Sequence, residues 1–548
     1  MSTTVTAARR LVETLVANGV THVFCVPGES YLAVLDALVD FQDRIQVITC
    51  RHEAGASNMA VAYAKLTRRP GVCFVTRGPG ATHASIGIHT ASQDSAPVIM
   101  FVGQVARADR GREGFQELDY PAVFGTMTKL AVEVSDPTRM VEIVTRAFAT
   151  AAQGRHGPVV VSLPEDMLTE DAGPRVPSAV QAAPAGLAEA ALHAIHARLE
   201  KSERPLMILG GTGWSDDALQ RLADWAKQID LPIALSWRRK DLLNNDHPCY
   251  VGDLSIRPSP GLNERIKQAD LLIAIGSRMG DIPTTGYQLL SAQDAAEKLI
   301  HVHPSAEDIN RVWQASLSAI ANEAVAAISL SGLKVQRKWS QWRAAARGDY
   351  EKSIEPVTTV GAVNLSQVFT HMARVLPPDA ILCNGAGNYA AWPNRFYRYR
   401  KPCTQLAPTS GAMGFGFPAG IAAKLVHPDR DVIAIAGDGC FLMTGQELAT
   451  AVQHDVRLVT MVIDNGSYGT IRMYQEREYP KRVMATRLRN PDFTAYARSF
   501  GAWAATVERT EDFPAAFEAA RKCDVPSLIH IRTSVEDILP GQRLPNAP

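Results

Sequence analysis

The sequence predicts an α/β protein of three doubly wound parallel-sheet domains, and three observations predict it. Apolar, β-branched runs recur between helical patterns along all 548 residues, as they do where parallel strands are buried on both faces. The chain is about twice the length, roughly 250–300 residues, at which a single core stops growing. The runs also fall into three groups, parted by a Pro/Ala/Gly-rich stretch and by a charged helical one.

The first group, in a domain over 1–175, comprises HVFCV (22–26), IQVIT (45–49), GVCFVT (71–76), VIMFVG (98–103) and GPVVVSL (157–163). TEDAGPRVPSAVQAAPAG (169–186) has the composition of a linker. The second group, over 187–335, holds PLMILGG, PIALSW, DLLIAIGS and KLIHVH. KVQRKWSQWRAAARGDYEKSIEPV then predicts a helix bridging the second and third domains. The third domain, 355–548, has AILCNG (380–385), DVIAIAG (431–437), RLVTMVIDN (457–465) and SLIHI (527–531).

Composition narrows the function. Hydrophobic residues at 46% and charged residues at 20% are ordinary globular usage. The 56 basic and 56 acidic residues cancel, so no nucleic-acid footprint is expected. No apolar run reaches the ~18 residues of a membrane span, and Arg9, Arg10 and Glu13 break the N-terminal apolar pattern, unlike a secretory signal. Eight scattered cysteines form no C-x-x-C pair and no zinc spacing. These features predict a soluble, cytoplasmic globular protein whose partners are small molecules or copies of itself.

The most informative segment is DVIAIAGDGCFLMTGQELATAVQHDVRLVTMVIDNGSYG. A strand runs into Gly437-Asp438-Gly439, a helix follows, and a second strand ends at Asp464-Asn465: one βαβ unit. Ligands gather at the carboxyl ends of such strands, so Asp438 and Asn465 converge there. With a backbone carbonyl such as that of Ser467 they supply the hard oxygen ligands magnesium takes. The helix opening near Cys440 aims free amides and a positive dipole end at the same place, which suits a diphosphate. No Walker lysine is present, so ATP chemistry is not expected. Alone, the tripeptide reads more readily as a tight strand-to-helix turn capped by an aspartate.

GDG followed 27 positions after its aspartate by an asparagine turn resembles the thiamine-diphosphate-binding motif, whose pattern ends in two asparagines; here the first is Asp464. R-H-E-A-G-A (51–56) resembles the glutamate segment of the acetolactate synthase-like group (acetohydroxyacid synthases and 2-ketoacid decarboxylases). Val26-Pro27-Gly28-Glu29, Gly78-Pro79-Gly80-Ala81-Thr82, Phe115-Gln116-Glu117 and Gly411-Ala412-Met413-Gly414-Phe415-Gly416 resemble further segments of that group, over nearly the whole chain.

The resemblance implies thiamine diphosphate and Mg²⁺ as cofactors. Asp438, Asn465 and Ser467 would hold the metal. Gly387, Asn388, Tyr389, Gly437, Gly439, Cys440, Asn465 and Tyr468 would contact the diphosphate end, Gly411 and Met413 the pyrimidine, with Pro27 and Gly28 lining the first-strand turn. Glu53 would exchange a proton with the aminopyrimidine, with Gln116 beside the substrate and His83 a candidate for proton transfer. It also implies a homodimer or homotetramer in which Glu53 of one subunit serves the cofactor held by Asp438 of another.

The chain departs from biosynthetic acetolactate synthases at named places. Glu165 replaces their lysine, Ile282 their substrate-side arginine and Tyr474 their acceptor-pocket tryptophan, with Arg278 or Lys129 left as substitute cations. GDLSIRPSPG (252–261) replaces the Gly-Met-His-Gly string near their flavin, so FAD is not expected; Gly210-Gly211-Thr212-Gly213 reads as a structural turn. The leading expectation is a 2-ketoacid decarboxylating carboligase. A lyase acting on a 2-hydroxyacyl substrate, including a coenzyme A thioester, a simple 2-ketoacid decarboxylase and a catalytically silent regulatory subunit are the alternatives. No G-x-G-x-x-G supports a nicotinamide dehydrogenase.

Overall fold

A computed structural model describes residues 5–181 and 183–544. Among them lie three six-stranded sheets, every strand pairing parallel with its neighbours. The first contains β1 (His22–Cys25), β2 (Gln46–Thr49), β3 (Gly71–Val75), β4 (Val98–Gln104), β5 (Leu130–Glu133) and β6 (Val159–Pro164), in the order 2-1-3-4-6-5. The second contains β7 (Pro205–Leu209), β8 (Ile233–Ser236), β9 (Tyr250–Leu254), β10 (Leu271–Ile275), β11 (Leu299–His303) and β12 (Leu317–Ile320), in the order 12-11-10-7-8-9. The third contains β13 (Ile381–Asn384), β14 (Gln405–Leu406), β15 (Val432–Gly437), β16 (Val459–Asp464), β17 (Trp503–Val507) and β18 (Ser527–Arg532), in the order 14-13-15-16-18-17.

The first and third sheets therefore share one topology, and in both the strand order reverses beside the first strand: at β1/β3 and at β13/β15. Such reversals open a crevice at the carboxyl ends of the strands, where ligands bind.

The helix Glu53–Thr67 carries the join between these two domains. Its sequence, EAGASNMAVAYAKLT, is rich in Ala, Gly and Ser and buried on nearly every side, so it lacks the polar face of a surface helix. Small side chains let neighbours approach: a methyl group at Gly87, in the helix Gly78–Asp94, would come 2.3 Å from Ser57 Oγ. The helix Gly416–Val426 of the third domain packs on its other side. Lys65 and Asp94 form an ion pair buried in this join, and Asp94 also accepts from Thr409 N and Oγ1, each at 2.5 Å.

The helix Ser340–Ser353 lies between the second and third domains in sequence and packs along the central one, where Trp342 Nε1 donates to Pro205 O at 2.8 Å and Arg347 Nη1 to Tyr250 O at 3.0 Å. Its last residue meets the third domain, Ser353 O accepting Arg395 Nε at 2.6 Å. The stretch 172–188 contains no helix or strand among its described residues, and no described helix is long and apolar enough to cross a membrane.

Candidate active site

At the third-domain reversal, β15 delivers Asp438 and β16 delivers Asp464 and Asn465 to one edge, with Gly437 paired to Ile463. Asn490 Nδ2 lies between the two aspartates, donating to Asp438 Oδ2 at 2.7 Å and Asp464 Oδ1 at 2.8 Å. Asp464 also pairs with His530 Nε2 at 2.9 Å and accepts Gly466 N. Burial pushes Asp464 up, but His530 and the Gly466 amide bring it net below the usual carboxylate range. Burial, with Asp464 adding to it against the opposing Asn490 bond, holds Asp438 up at about 6. Asn465 Oδ1 accepts Ser467 N at 3.1 Å, which orients its carboxamide, and Ser467 Oγ donates to Thr486 O.

The glycines here make room for aromatic rings. A methyl group at Gly437 would meet the Tyr389 ring at 2.8 Å, and one at Gly439 the Tyr468 ring at 2.5 Å. Tyr389 Oη accepts Gly385 N at 3.0 Å and lies 3.3 Å from Cys440 Sγ, so its hydroxyl is spent inside the protein wall. Cys440 Sγ accepts Gly414 N at 3.2 Å, and Thr444 Oγ1 donates to Gly414 O, tying the 407–415 loop to the GDG turn. Burial pushes the Cys440 thiol up, so it is no reactive thiolate. Gly411, with φ +70°, is exposed, and a methyl group there would meet nothing. Met413 is half-buried beside it. Gly387 has φ +135°, and Asn388 Oδ1 accepts Thr470 Oγ1 at 2.9 Å.

The first-domain residues gather at the β1/β3 reversal. Glu53 opens its helix behind His52, whose Nδ1 caps it by accepting Ala54 N. Glu53 is 8% exposed, and its Oε2 lies 2.9 Å from His83 Nδ1. A methyl group at Gly80 would come 3.4 Å from Glu53 Oε1. Gln116 adopts φ +63°, its carbonyl accepts Gly78 N at 2.9 Å, and its buried Oε1 has no partner. After Pro27, Gly28 packs on Thr76, leaving 2.4 Å between its would-be methyl and Thr76 Cβ.

Two residues that the sequence did not single out connect these parts. Glu447 accepts His52 N at 2.9 Å and both Arg51 N contacts at 3.2 Å, and Gly55 is a glycine because a methyl group would come 2.4 Å from Glu447 Oε1. Arg238, from the central domain, is 3% exposed and donates to Gly385 O at 3.2 Å. Neither they nor Asn490 stands in a motif with a ligand-binding spacing, so no sequence signal marked them. The substitute cations Arg278 and Lys129 are engaged elsewhere, with Gln93 O and Gln153 O. Glu165 is not a free negative charge, since Arg77 lies 3.5 Å away.

Within one chain the Glu447 contacts join the backbone beside Glu53 to the third domain without bringing the Glu53 carboxylate into a hydrogen bond with the candidate cofactor segments. Among the described residues no hydrogen bond joins the Glu53 side chain to the 387–389, 411–413, 437–440 or 465–468 segments. Thr90 Oγ1, 3.2 Å from Ser410 Oγ, sets the Gly411 loop against a turn of helix seven residues, about 10 Å, beyond His83.

Known proteins resemble this chain in sequence. Residues 5–123 match the thiamine pyrophosphate (diphosphate) enzyme N-terminal TPP binding domain, 192–329 the central domain and 385–531 the C-terminal TPP binding domain. The acetolactate synthase large subunit of Parasynechococcus marenigrum is 30% identical over 549 residues, covering 96% of this chain and 88% of its own length. The acetolactate synthase isozyme 2 large subunit of Escherichia coli is 29% identical over 96% of this chain and 95% of its own length, and the acetolactate synthase of Bacillus subtilis 29% over 97% and 93%. Three matched domains in the family's order, with full-length relatives, establish that this chain belongs to the thiamine pyrophosphate enzymes.

Proposed function

We propose that the protein is an acetolactate-synthase-like carboligase: it takes a 2-ketoacid, releases CO₂, and joins the remaining acyl fragment to the carbonyl carbon of an acceptor. The observation that carries this reading is the Asp438–Asn490–Asp464 array beside Asn465, a concentrated negative charge at a strand-order reversal faced by helix amides. That donor set fits a divalent cation bridging to a diphosphate. Asp438, Asn465 and the Ser467 carbonyl would hold Mg²⁺; Gly387, Asn388, Gly437, Gly439 and the Cys440 amide would receive the diphosphate. Tyr389 and Tyr468 would act from behind, packing on Gly437 and Gly439. Gly411 and Met413 would seat the pyrimidine. Thiamine diphosphate, when bound, supplies the carbanion chemistry at the ketoacid carbonyl.

Glu53, nearly buried and partnered by His83, would exchange a proton with the pyrimidine, and Gln116, whose amide oxygen has no partner, would face the substrate. Pro27 and Gly28 shape the wall at that end. Among the described residues no hydrogen bond within one chain joins the Glu53 side chain to the Gly411 loop, and the family resemblance pairs Glu53 of one copy with Asp438 of another, so a homodimer or homotetramer with the site completed by a second copy is proposed. Phe115, Leu442 and Met443, exposed near these segments, suit coverage by that copy. Domain limits at 1–175, 187–335 and 355–548 enclose the three sheets. All eight cysteines are free, which suits a reducing, cytoplasmic compartment.

The test supplies a panel of 2-ketoacids, with and without aldehyde acceptors, to protein loaded with thiamine diphosphate and magnesium, and measures CO₂ and coupled products. Absence of CO₂ release from every ketoacid would overturn the proposal.

A further inference from the structure

The order 12-11-10-7-8-9 of the central sheet is the dinucleotide-binding order, three strands wound each way from β7 and β10. In such folds a pyrophosphate lies at the reversal, where glycines let it approach the backbone. Here Gly210-Gly211-Thr212-Gly213 follows β7 and Gly276-Ser277-Arg278 follows β10.

That crevice holds a side chain of this protein. Glu323 opens the helix Glu323–Ser331 after β12, and its carboxyl turns back into the reversal. A methyl group at Gly211 would come 2.1 Å from Glu323 Oε1, one at Gly213 2.2 Å from Oε2, and one at Gly276 2.6 Å from Cγ. Thr212 N donates to Oε1 at 3.3 Å. The glycines thus make room for a carboxylate where the fold otherwise makes room for a phosphate.

The mouth is covered as well. Thr212 Oγ1 donates to Ser95 O at 2.9 Å, Arg278 Nη2 to Gln93 O at 2.7 Å and Arg239 Nη2 to Asp94 O at 2.8 Å. These carbonyls end the helix Gly78–Asp94, whose C-terminal dipole end is negative and disfavours an approaching phosphate. Beside the turn a cavity of about 30 Å³ remains, lined by Lys65, Arg68, His156 and Arg239 among others. That holds about one water, whereas nucleotide-sized ligands occupy several hundred Å³.

We infer that the central domain is a dinucleotide fold whose binding place is taken by its own Glu323, so that the protein works with no flavin or adenine nucleotide in that domain. Burial holds the Glu323 carboxyl above its ordinary range, with the backbone amides of Thr212, Gly213 and Glu323 itself and the charge of Arg239 opposing. The inference is independent of the thiamine diphosphate reading, which stands or falls on the third domain.

The test has two arms. Native protein is heat-denatured and its supernatant scanned for flavin, and folded wild type is titrated with FAD and with ADP by calorimetry; no flavin and no binding are expected. Glu323→Gly, which empties the crevice, is expected to bind ADP, whereas Glu323→Gln, which keeps it filled, is not. Stoichiometric flavin, or saturable ADP or FAD binding by wild type, overturns the inference. So does ADP binding by Glu323→Gln, in which the crevice stays filled. Should Glu323→Gly not fold, the wild-type arm alone decides.

Discussion

Asn490 offers the sharpest test of the metal site, because it touches the proposed ligand without being one. Its Nδ2 donates to Asp438 Oδ2 at 2.7 Å and to Asp464 Oδ1 at 2.8 Å, and each bond to a charged acceptor is worth about 1.5–3 kcal/mol. Asn490→Ala removes both. Two consequences oppose each other. Two carboxylates left without the amide between them attract a cation more strongly, but the Asp438 carboxyl loses its aim. The second effect wins, because Asp438 relieves the repulsion by taking up a proton: burial already holds it at about 6, and Asn490 is what opposes that rise. Partners that orient a metal ligand typically contribute 10–100-fold in affinity, about 1.4–2.7 kcal/mol. Magnesium titrations at saturating thiamine diphosphate and neutral pH, read by calorimetry, are therefore expected to show Mg²⁺ binding weakened by that factor. Unchanged affinity in a folded variant would refute the assignment of Asp438 as a ligand aimed by Asn490.

Glu53→Gln is expected to retain cofactor affinity while turnover drops by roughly 10²–10⁴, the usual contribution of a positioned proton carrier; isotope exchange at the cofactor's reactive carbon at the wild-type rate would refute the role. Sedimentation is expected to show a homo-oligomer, and fully active monomers would contradict a site completed by a second copy. With saturating pyruvate, little acetolactate is expected, because Ile282 is neutral, Glu165 acidic, and Arg278 and Lys129 are engaged with backbone carbonyls; acetolactate formation near ~10 per second, the median for enzymes, would show that another cation serves. His156, half-buried 3.3 Å from Thr212 Oγ1, is held down to about 4 from 6.5 by desolvation and by Lys129. The unfolded chain therefore binds a proton that the folded one refuses between those values, so this stabilisation is complete above 6.5 and falls by about 3 kcal/mol as pH approaches 4. Denaturant titrations should find this acid loss reduced in His156→Gln, and an equal loss in both proteins would count against it.

How much was legible in the sequence depended on burial. The strands announced by apolar runs include every interior strand of the three sheets, such as β4, buried along its whole length. The five strands without such a run, β5, β9, β12, β14 and β17, are all edge strands. An edge strand has a neighbour on one side only, so its composition is less constrained: β5 and β12 contain no buried residue, and β14 is two residues long.

The site divides along the same line. Asp438, Asn465 and Glu53 were readable because each stands beside the end of a strand, where backbone order alone sets its direction, and because glycines next to them record a close approach. Local sequence by itself determined the three α/β units, the placing of Asp438 and Asn465 at adjacent strand ends and of Glu53 at the start of its helix. Only the tertiary structure decided what faces them: Asn490 between two aspartates, Glu447 under the start of the Glu53 helix, and Glu323 inside the central crevice. Each of these contacts joins residues 26 to 396 positions apart. Helical and strand periodicity extends over one element and then loses phase in the following loop, so the partner of a buried carboxylate is set by packing between elements.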